Sequence, residues 1–307
     1  MSSRLILMDH DGAIDDFLSL MLLLTMDEIE ILGIVVTPAD CYIEAGTSVS
    51  RKILAWMGRS DISVAQSNAR GINPFPADFR RDCKIIDNFP ILNEADQPLP
   101  PLAAKSGPEF IVEQLNNASE AVTLMVTGPL TTVAQAIALQ PDIVAKIAEI
   151  VWMGGALTVP GNVQSNYALE QDGTAEWNVF WDYLAAKQIW ETMIPLTLCP
   201  LDLTNRVPVT ADFIRQLAQQ RRYPLSDLAG LCYSLAIPQD YYFWDILATA
   251  YLARPALYHT IIHETDIITT GASQGRTVLQ PGGKKIKVMT QVDREQFYSY
   301  LLRQFAR

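Results

Sequence analysis

Leu5-Ile-Leu-Met8, Asp9-His-Asp-Gly12, Ala13-Ile-Asp-Asp16 and Phe17-Leu-Ser-Leu-Met-Leu-Leu-Leu24 form one continuous stretch, and its reading decides the fold. Two apolar runs flank four aspartates: Asp9, Asp11, Asp15 and Asp16. The pattern predicts a short buried strand ending at Asp9, a turn through Gly12 and a helix beginning near Ile14. The carboxylates therefore gather where strand hands over to helix, the edge at which open α/β sheets place their ligands. A helix N-terminus favours one or two negative charges, each by about 0.3–1 kcal/mol. Four in one crevice repel one another unless a cation sits among them, so the segment reads as a divalent-metal site rather than a solvated acidic turn. Oxygen-only donors select calcium or magnesium over zinc. An EF-hand loop starting at Asp9 would need glycine and glutamate where the chain has Ile14 and Leu20.

Outward from that stretch, apolar strands alternate with amphipathic helices. Strands are expected at Glu30–Val36, Ala121–Val126, Ile147–Met153 and Met193–Leu198, with helices at Ile43–Trp56, Thr132–Ala138 and Asp182–Trp190. After Thr210 the pattern turns helical through Phe213–Gln219, Leu225–Leu235 and Asp245–Leu252. A strand pair, Asp266–Thr270 and Lys285–Val292 around Gly282-Gly283, closes the chain. The expected fold class is α/β: a single Rossmann-like domain over residues 1–307, with a mixed, mostly parallel central sheet flanked by helices. Ser67 to Ser106 is rich in proline and poor in periodicity, and loops of that length in compact domains are usually functional or mobile.

Composition narrows the function classes. A formal charge of -11 argues against a nucleic-acid partner, since phosphate backbones are bound by clustered Lys and Arg. No apolar run reaches the ~18 residues of a membrane span. The N-terminus meets the acidic cluster before a signal-type apolar core could form. Cys41, Cys83, Cys199 and Cys232 show no Cys-x-x-Cys spacing and read as reduced thiols of a cytoplasmic protein. No Gly-x-Ser-x-Gly turn accompanies any of the three histidines, so a serine-hydrolase triad has no support.

Other segments end strands with small or polar residues: Val36-Thr-Pro-Ala-Asp40, Val126-Thr-Gly-Pro-Leu130 and Met153-Gly-Gly-Ala156. Each alone is an ordinary turn. Strand C-terminal ends share one edge of a parallel sheet, so Asp40, Thr127 and Met153 are expected to face the same crevice as the aspartates. Asp172-Gly-Thr-Ala-Glu-Trp-Asn178 mixes donors and acceptors before a helix, where capping is the ordinary explanation. In Tyr241-Tyr-Phe-Trp-Asp245, aromatics are more often core than ligand-stacking, yet Asp245 beside Trp244 at a helix start also suits a metal ligand next to a flat apolar wall.

Two families begin with a strand and Asp-x-Asp. Haloacid-dehalogenase-type phosphatases resemble Asp9-His-Asp-Gly12, but their later lysine and acidic pair find no counterpart. Nucleoside hydrolases carry Asp-x-Asp-x-x-x-Asp-Asp, matched by Asp9, Asp11, Asp15 and Asp16. Val126-Thr-Gly-Pro-Leu130, Met153-Gly-Gly155, Gly161-Asn162, Glu176-Trp-Asn178 and Trp244-Asp245 resemble family segments in family order. Asp9-His-Asp-Gly12, Ala39-Asp-Cys41, Asn73-Pro-Phe-Pro76 and Asp172–Asn178 resemble the purine-specific, inosine–adenosine–guanosine-preferring branch.

The resemblance implies a calcium ion held by Asp11, Asp16, the Thr127 carbonyl and Asp245. Substrate hydroxyls and water would complete about eight ligands, a number magnesium does not accept. It implies Asp11 as catalytic base, and Asp15 on the ribose 2′-hydroxyl. Asn162, Glu176, Asn178 and Met153 would lie around the sugar, with Asp9 supporting the cluster from behind. Trp244 stands where other members carry a histidine. Phe79 and Ala13 stand where the purine branch has tryptophan and asparagine, and Asp40 where that branch places an acid near the purine N7. A small nucleoside substrate and a homodimer complete what the resemblance implies. A non-catalytic calcium-dependent nucleoside-binding protein is the alternative from another class, one that could dispense with Asp11.

Overall fold

The computed structural model describes residues 4–94, 97–164, 166–168, 170–236 and 240–307. Nine strands build one sheet: β1 Arg4–His10, β2 Ile29–Val36, β3 Val64–Gln66, β4 Val122–Val126, β5 Ile147–Met153, β6 Leu196–Cys199, β7 Tyr258–Ile267, β8 Thr277–Leu279 and β9 Lys284–Val292. Their spatial order is β3-β2-β1-β4-β5-β6-β9-β7-β8. All pairings from β3 to β9 are parallel, while β7 pairs antiparallel with both β9 and β8. The expected α/β class with a mostly parallel sheet is what the chain adopts.

Apolar runs with no polar face make strands that must be covered on both sides. Along β1 the side chains alternate between two cores. Ile6 and Met8 join a cluster with the helices Ile14–Leu24, Ile43–Trp56 and Asp245–Ala253. Leu5 and Leu7 join another with Gly107–Asn117, Thr131–Leu139 and Tyr183–Trp190. The strand order reverses between β1 and β4, because β1 leads outward to β2 and β3 whereas β4 leads the other way. In such a sheet the crevice opens at that reversal, beyond the carboxyl ends of the strands. Asp9 and Asp11 lie there, opposite Thr127.

Three expectations shift. β6 starts at Leu196, not at Met193: Met193 is 90 % exposed and Pro195 has no N–H to give a ladder. β7 occupies Tyr258–Ile267 rather than Asp266–Thr270, and its burial pattern is irregular, with Ile261 and Ile262 both exposed, which hid its period of two. The Gly282-Gly283 turn leads from β8 into β9, yet β9 pairs with β7, which lies between them. The proline-rich segment holds short helices at Ala77–Arg80 and Asp82–Asp87.

At the first turn Gly12 has φ +83, and a Cβ there would stand 2.6 Å from Cys41 Cβ. Both the left-handed backbone and the close approach of the Asp40-bearing loop demand glycine. Gly12→Ala is expected to cost about 2–4 kcal/mol from backbone strain plus overpacking, measured by denaturant unfolding. An unchanged midpoint would mean that the turn relaxes freely.

Candidate active site

The helix Ile14–Leu24 starts directly above the end of β1, which explains why four aspartates from eight residues share one place. Asp16 Oδ2 accepts the Ala13 N–H at 2.8 Å, and Oδ1 accepts the Thr127 hydroxyl at 2.5 Å, tying the ends of β1 and β4 together. Asp15 accepts the Tyr241 hydroxyl at 2.9 Å and the backbone N–H of Asp245 at 3.2 Å. The segment before the helix Asp245–Ala253 is thereby pinned to the start of the first helix. Asp9 accepts the Thr37 hydroxyl at 2.7 Å. Thr37 Oγ1 lies 2.6 Å from Thr132 Oγ1, which lies 2.8 Å from Ser67 Oγ. One hydroxyl chain thus connects the ends of β1, β2 and β3 with the helix Thr131–Leu139.

Asp9, Asp11, Asp15, Asp16 and Asp245 are all buried, and no cationic side chain pairs with any of them among the described residues. Burial and mutual repulsion favour proton uptake at Asp9, Asp11, Asp15 and Asp245. Burial pushes the Asp9 carboxyl up to about 8, with the Thr37 hydrogen bond opposing and the Asp16 charge adding. Asp15 is pushed up to about 6, by burial first and then by Asp16. Asp11 and Asp245 are driven well above the usual carboxylate range by burial, then by neighbouring aspartates.

After burial, the charge of Asp16 acts most on Asp11 and that of Asp15 most on Asp245. Among the described residues no three His, Cys, Asp or Glu side chains stand already arranged to hold a metal ion. The oxygens of the ligand set implied by the family resemblance are gathered at this strand edge. The donors nevertheless fit a hard cation: all are oxygens, and Asp9 Oδ2 is buried without a hydrogen-bond partner.

The residues expected around the sugar form a knot around backbone groups. Glu176 caps the short helix Trp177–Trp181, accepting from the N–H groups of Asn178 and Val179. It also accepts the Gly155 N–H at 2.9 Å. Asn178 Nδ2 donates to the carbonyls of Thr127 at 2.9 Å and Met153 at 3.2 Å. Asn162 Oδ1 accepts the Trp177 N–H at 3.0 Å. Capping, the ordinary explanation for this motif, therefore holds, and it fixes the same groups at the ends of β4 and β5.

The residues expected around the base belong to two aromatic groups. Trp244 packs edge-on against Tyr241 with centroids 4.6 Å apart, and its Nε1 is buried without a partner. Phe79 sits against Tyr167 at 5.6 Å and Trp177 at 6.1 Å. Asp40 is driven well above the carboxylate range by burial and by the charges of Asp16 and Asp15, with Arg80 opposing, and its Oδ1 is buried without a partner. His10 belongs to the core, with Nε2 3.0 Å from Ser50 Oγ and its ring edge-on to Phe17. His259 and His263 lie on β7.

Sequence reasoning missed the Thr37–Thr132–Ser67 chain and the Tyr241 hydroxyl on Asp15. Thr37 lay in a segment already marked as a strand end; Tyr241 was read as one of several packing aromatics.

The sequence model of the inosine-uridine preferring nucleoside hydrolases matches residues 6–299. The chain belongs to that family. The crystal structure of an inosine-uridine preferring nucleoside hydrolase from Bacillus anthracis superposes with a TM-score of 0.95 at 42% identity, covering 99% of both chains. A pyrimidine-specific ribonucleoside hydrolase, RihA of Klebsiella pneumoniae subsp. pneumoniae, is 28% identical over 98% of each chain. A purine-preferring ribonucleoside hydrolase from Gardnerella vaginalis shares the fold, with a TM-score of 0.80 at 23% identity over 99% of this chain and 98% of that one.

The hydroxyl chain gives a direct test within this nucleoside hydrolase. Thr37→Val keeps the shape but leaves Asp9 Oδ1 without its donor, at an expected cost of about 1–3 kcal/mol in urea unfolding. Unchanged stability would mean that Asp9 draws nothing from this bond.

Proposed function

We propose that the protein is a calcium-dependent nucleoside N-ribohydrolase that splits the N-glycosidic bond of purine-type ribonucleosides such as inosine, adenosine and guanosine, giving ribose and free base. One observation carries the purine preference: the residues read here as base-side are aromatic rings and an acid, with no imidazole among them. Trp244 directly precedes Asp245, and all three histidines are placed elsewhere. A leaving base must accept charge. Without a histidine to protonate it, stacking against Trp244 and Phe79 and protonation at N7 supply that help, and a purine offers both a broad face and an N7. Asp40, favoured in its protonated form and with Oδ1 unpartnered, supports the N7 role. RihA, pyrimidine-specific by name, weighs the other way.

In this reading Asp11, Asp16, the Thr127 carbonyl and Asp245 hold the cation. Asp15 takes the ribose 2′-hydroxyl, Asn162, Glu176, Asn178 and Met153 border the sugar, and Asp9 supports from behind. When bound, the cation offsets the repulsion among the carboxylates and supplies Lewis acidity. The oxygen of a water bonds to C1′ as the C1′–N bond breaks. Asp11 takes the water's proton, and the bonding pair leaves on the base, which takes up a proton at N7. The carboxylate wall favours the positive charge that develops on the ribose. Four free, buried cysteines accord with a reducing cytoplasm. In this reading the protein is a homodimer, which its mass in solution tests.

Asp11→Ala should lower turnover by about 10³-fold or more while far-UV circular dichroism stays native, since it removes cation ligand and base together. Activity within tenfold of the parent defeats the assignment. Chelation should abolish turnover and calcium restore it; recovery with magnesium but not calcium would reject the choice of ion. Trp244→Ala should reduce kcat/KM for inosine far more than for p-nitrophenyl riboside, whose leaving group needs no activation. A higher specificity constant for uridine than for inosine in the unmutated protein rejects the purine preference and leaves nucleoside hydrolysis standing.

A further inference from the structure

Arg80 belongs to no part of the chemistry above, yet it sits where two base-side elements meet. It ends the short helix Ala77–Arg80, next to Phe79, and faces the loop that carries Asp40. Its Nε and Nη2 both donate to the Cys41 carbonyl, at 3.1 and 2.8 Å. The same guanidinium lies over the Tyr42 ring, 4.7 Å from its centroid. Lys84 approaches the Tyr42 ring to 3.7 Å, and the buried Cys83 thiol donates to the Arg80 carbonyl at 3.2 Å. Behind Arg80 opens a cavity of about 400 Å³ lined by Pro38, Tyr42, Gln66, Asn68, Arg70 and Arg80. On that side the clasp has little packing to replace it.

We propose that Arg80 is a positioning residue for the base-side wall: its guanidinium clasps the Asp40-bearing loop to the Phe79-bearing helix and so fixes the acid and the aromatic face relative to each other. The chemistry of the side chain fits that task. A guanidinium presents two coplanar N–H groups to one acceptor while its flat face stacks on a ring; an ammonium does neither together. Phe79 also packs against the cluster that contains Ala39, and Arg80 adds the bidentate bond to the carbonyl that follows Asp40. A wall that carries leaving-group activation must hold its distance, because displacement of about 1 Å is enough to cost orders of magnitude in rate.

The inference rests on the base-stacking reading above, so its test has one arm inside that reading and one outside. Arg80→Met keeps the stem and loses the fork; Arg80→Lys keeps the charge and loses the bidentate, stacked geometry. Both should lower kcat/KM for inosine by about tenfold or more, while p-nitrophenyl riboside changes by less than about threefold. Independently, the Cys83 thiol should react faster with a disulfide reagent in both variants, by about tenfold, once the helix is no longer held down. A Cys83→Ser control subtracts the other thiols, and native circular dichroism confirms folding. Cys83 labelling unchanged from the parent overturns the clasp, whatever the activity. Equal losses on the two substrates, or full rescue by Arg80→Lys, overturn its role in positioning the base wall. Failure of the unmutated protein on both substrates would instead defeat the nucleoside reading, with thiol labelling still deciding the clasp.

Discussion

Carboxylates brought out of water beside other carboxylates set the terms for everything around them. Each buried ion loses hydration worth several kcal/mol, and each like-charged neighbour raises that cost. Asp9, Asp11, Asp15, Asp16 and Asp245 nonetheless share one crevice without a cationic partner among the described residues. The surroundings are organised to tolerate this. Backbone N–H groups and hydroxyls from four elements are spent on carboxyl oxygens: Ala13, Thr127, Thr37, Tyr241 and the amide of Asp245. Such a cluster is tolerable in a sheet only at its switch point, where strand ends diverge and leave room. The cation proposed above would convert that mutual repulsion into shared attraction.

The same logic explains which parts of the molecule were legible beforehand. A parallel sheet buried on both faces forces its strands to be apolar throughout, so β1, β2, β4 and β5 stand out in the sequence. Their ends were equally visible, because polar residues after an apolar run have few other places to go. β7 was misplaced because it is neither buried on both faces nor cleanly alternating: Ile261 and Ile262 face solvent while Thr265 is buried. β6 was drawn too long because Pro195 and Met193 look apolar yet cannot serve in a central ladder.

Side-chain networks were less legible than elements. Asp9, Asp11, Asp15 and Asp16 announce themselves by proximity in the chain. Tyr241 and Asp15 are 226 residues apart, and Thr37 and Thr132 are 95 apart. No local pattern marks such partners; only the fold brings them together. Glu176 shows a subtler case. Its motif could be read as a helix cap or as a sugar contact, and the structure has it capping three N–H groups at the edge of the pocket. A residue that fixes the rim of a site through the backbone need not choose between the two.

Chemistry and selectivity also draw on different physics here. The aspartate cluster stands on the end of β1 and on two helix starts, anchored in the core, so its geometry can change little without disturbing the sheet. Phe79 stands on a four-residue helix inside the proline-rich stretch, held by ring contacts with Tyr167 and Trp177 and by the clasp beside it. A few surface contacts are far easier to rearrange than a parallel sheet. A relative 28% identical over 98% of each chain bears a name that specifies pyrimidines, while one that shares the fold is named for purines. In the reading proposed above, preference for one base over another would then lie in the segment where periodicity says least, set by what touches the ring rather than by the fold beneath it.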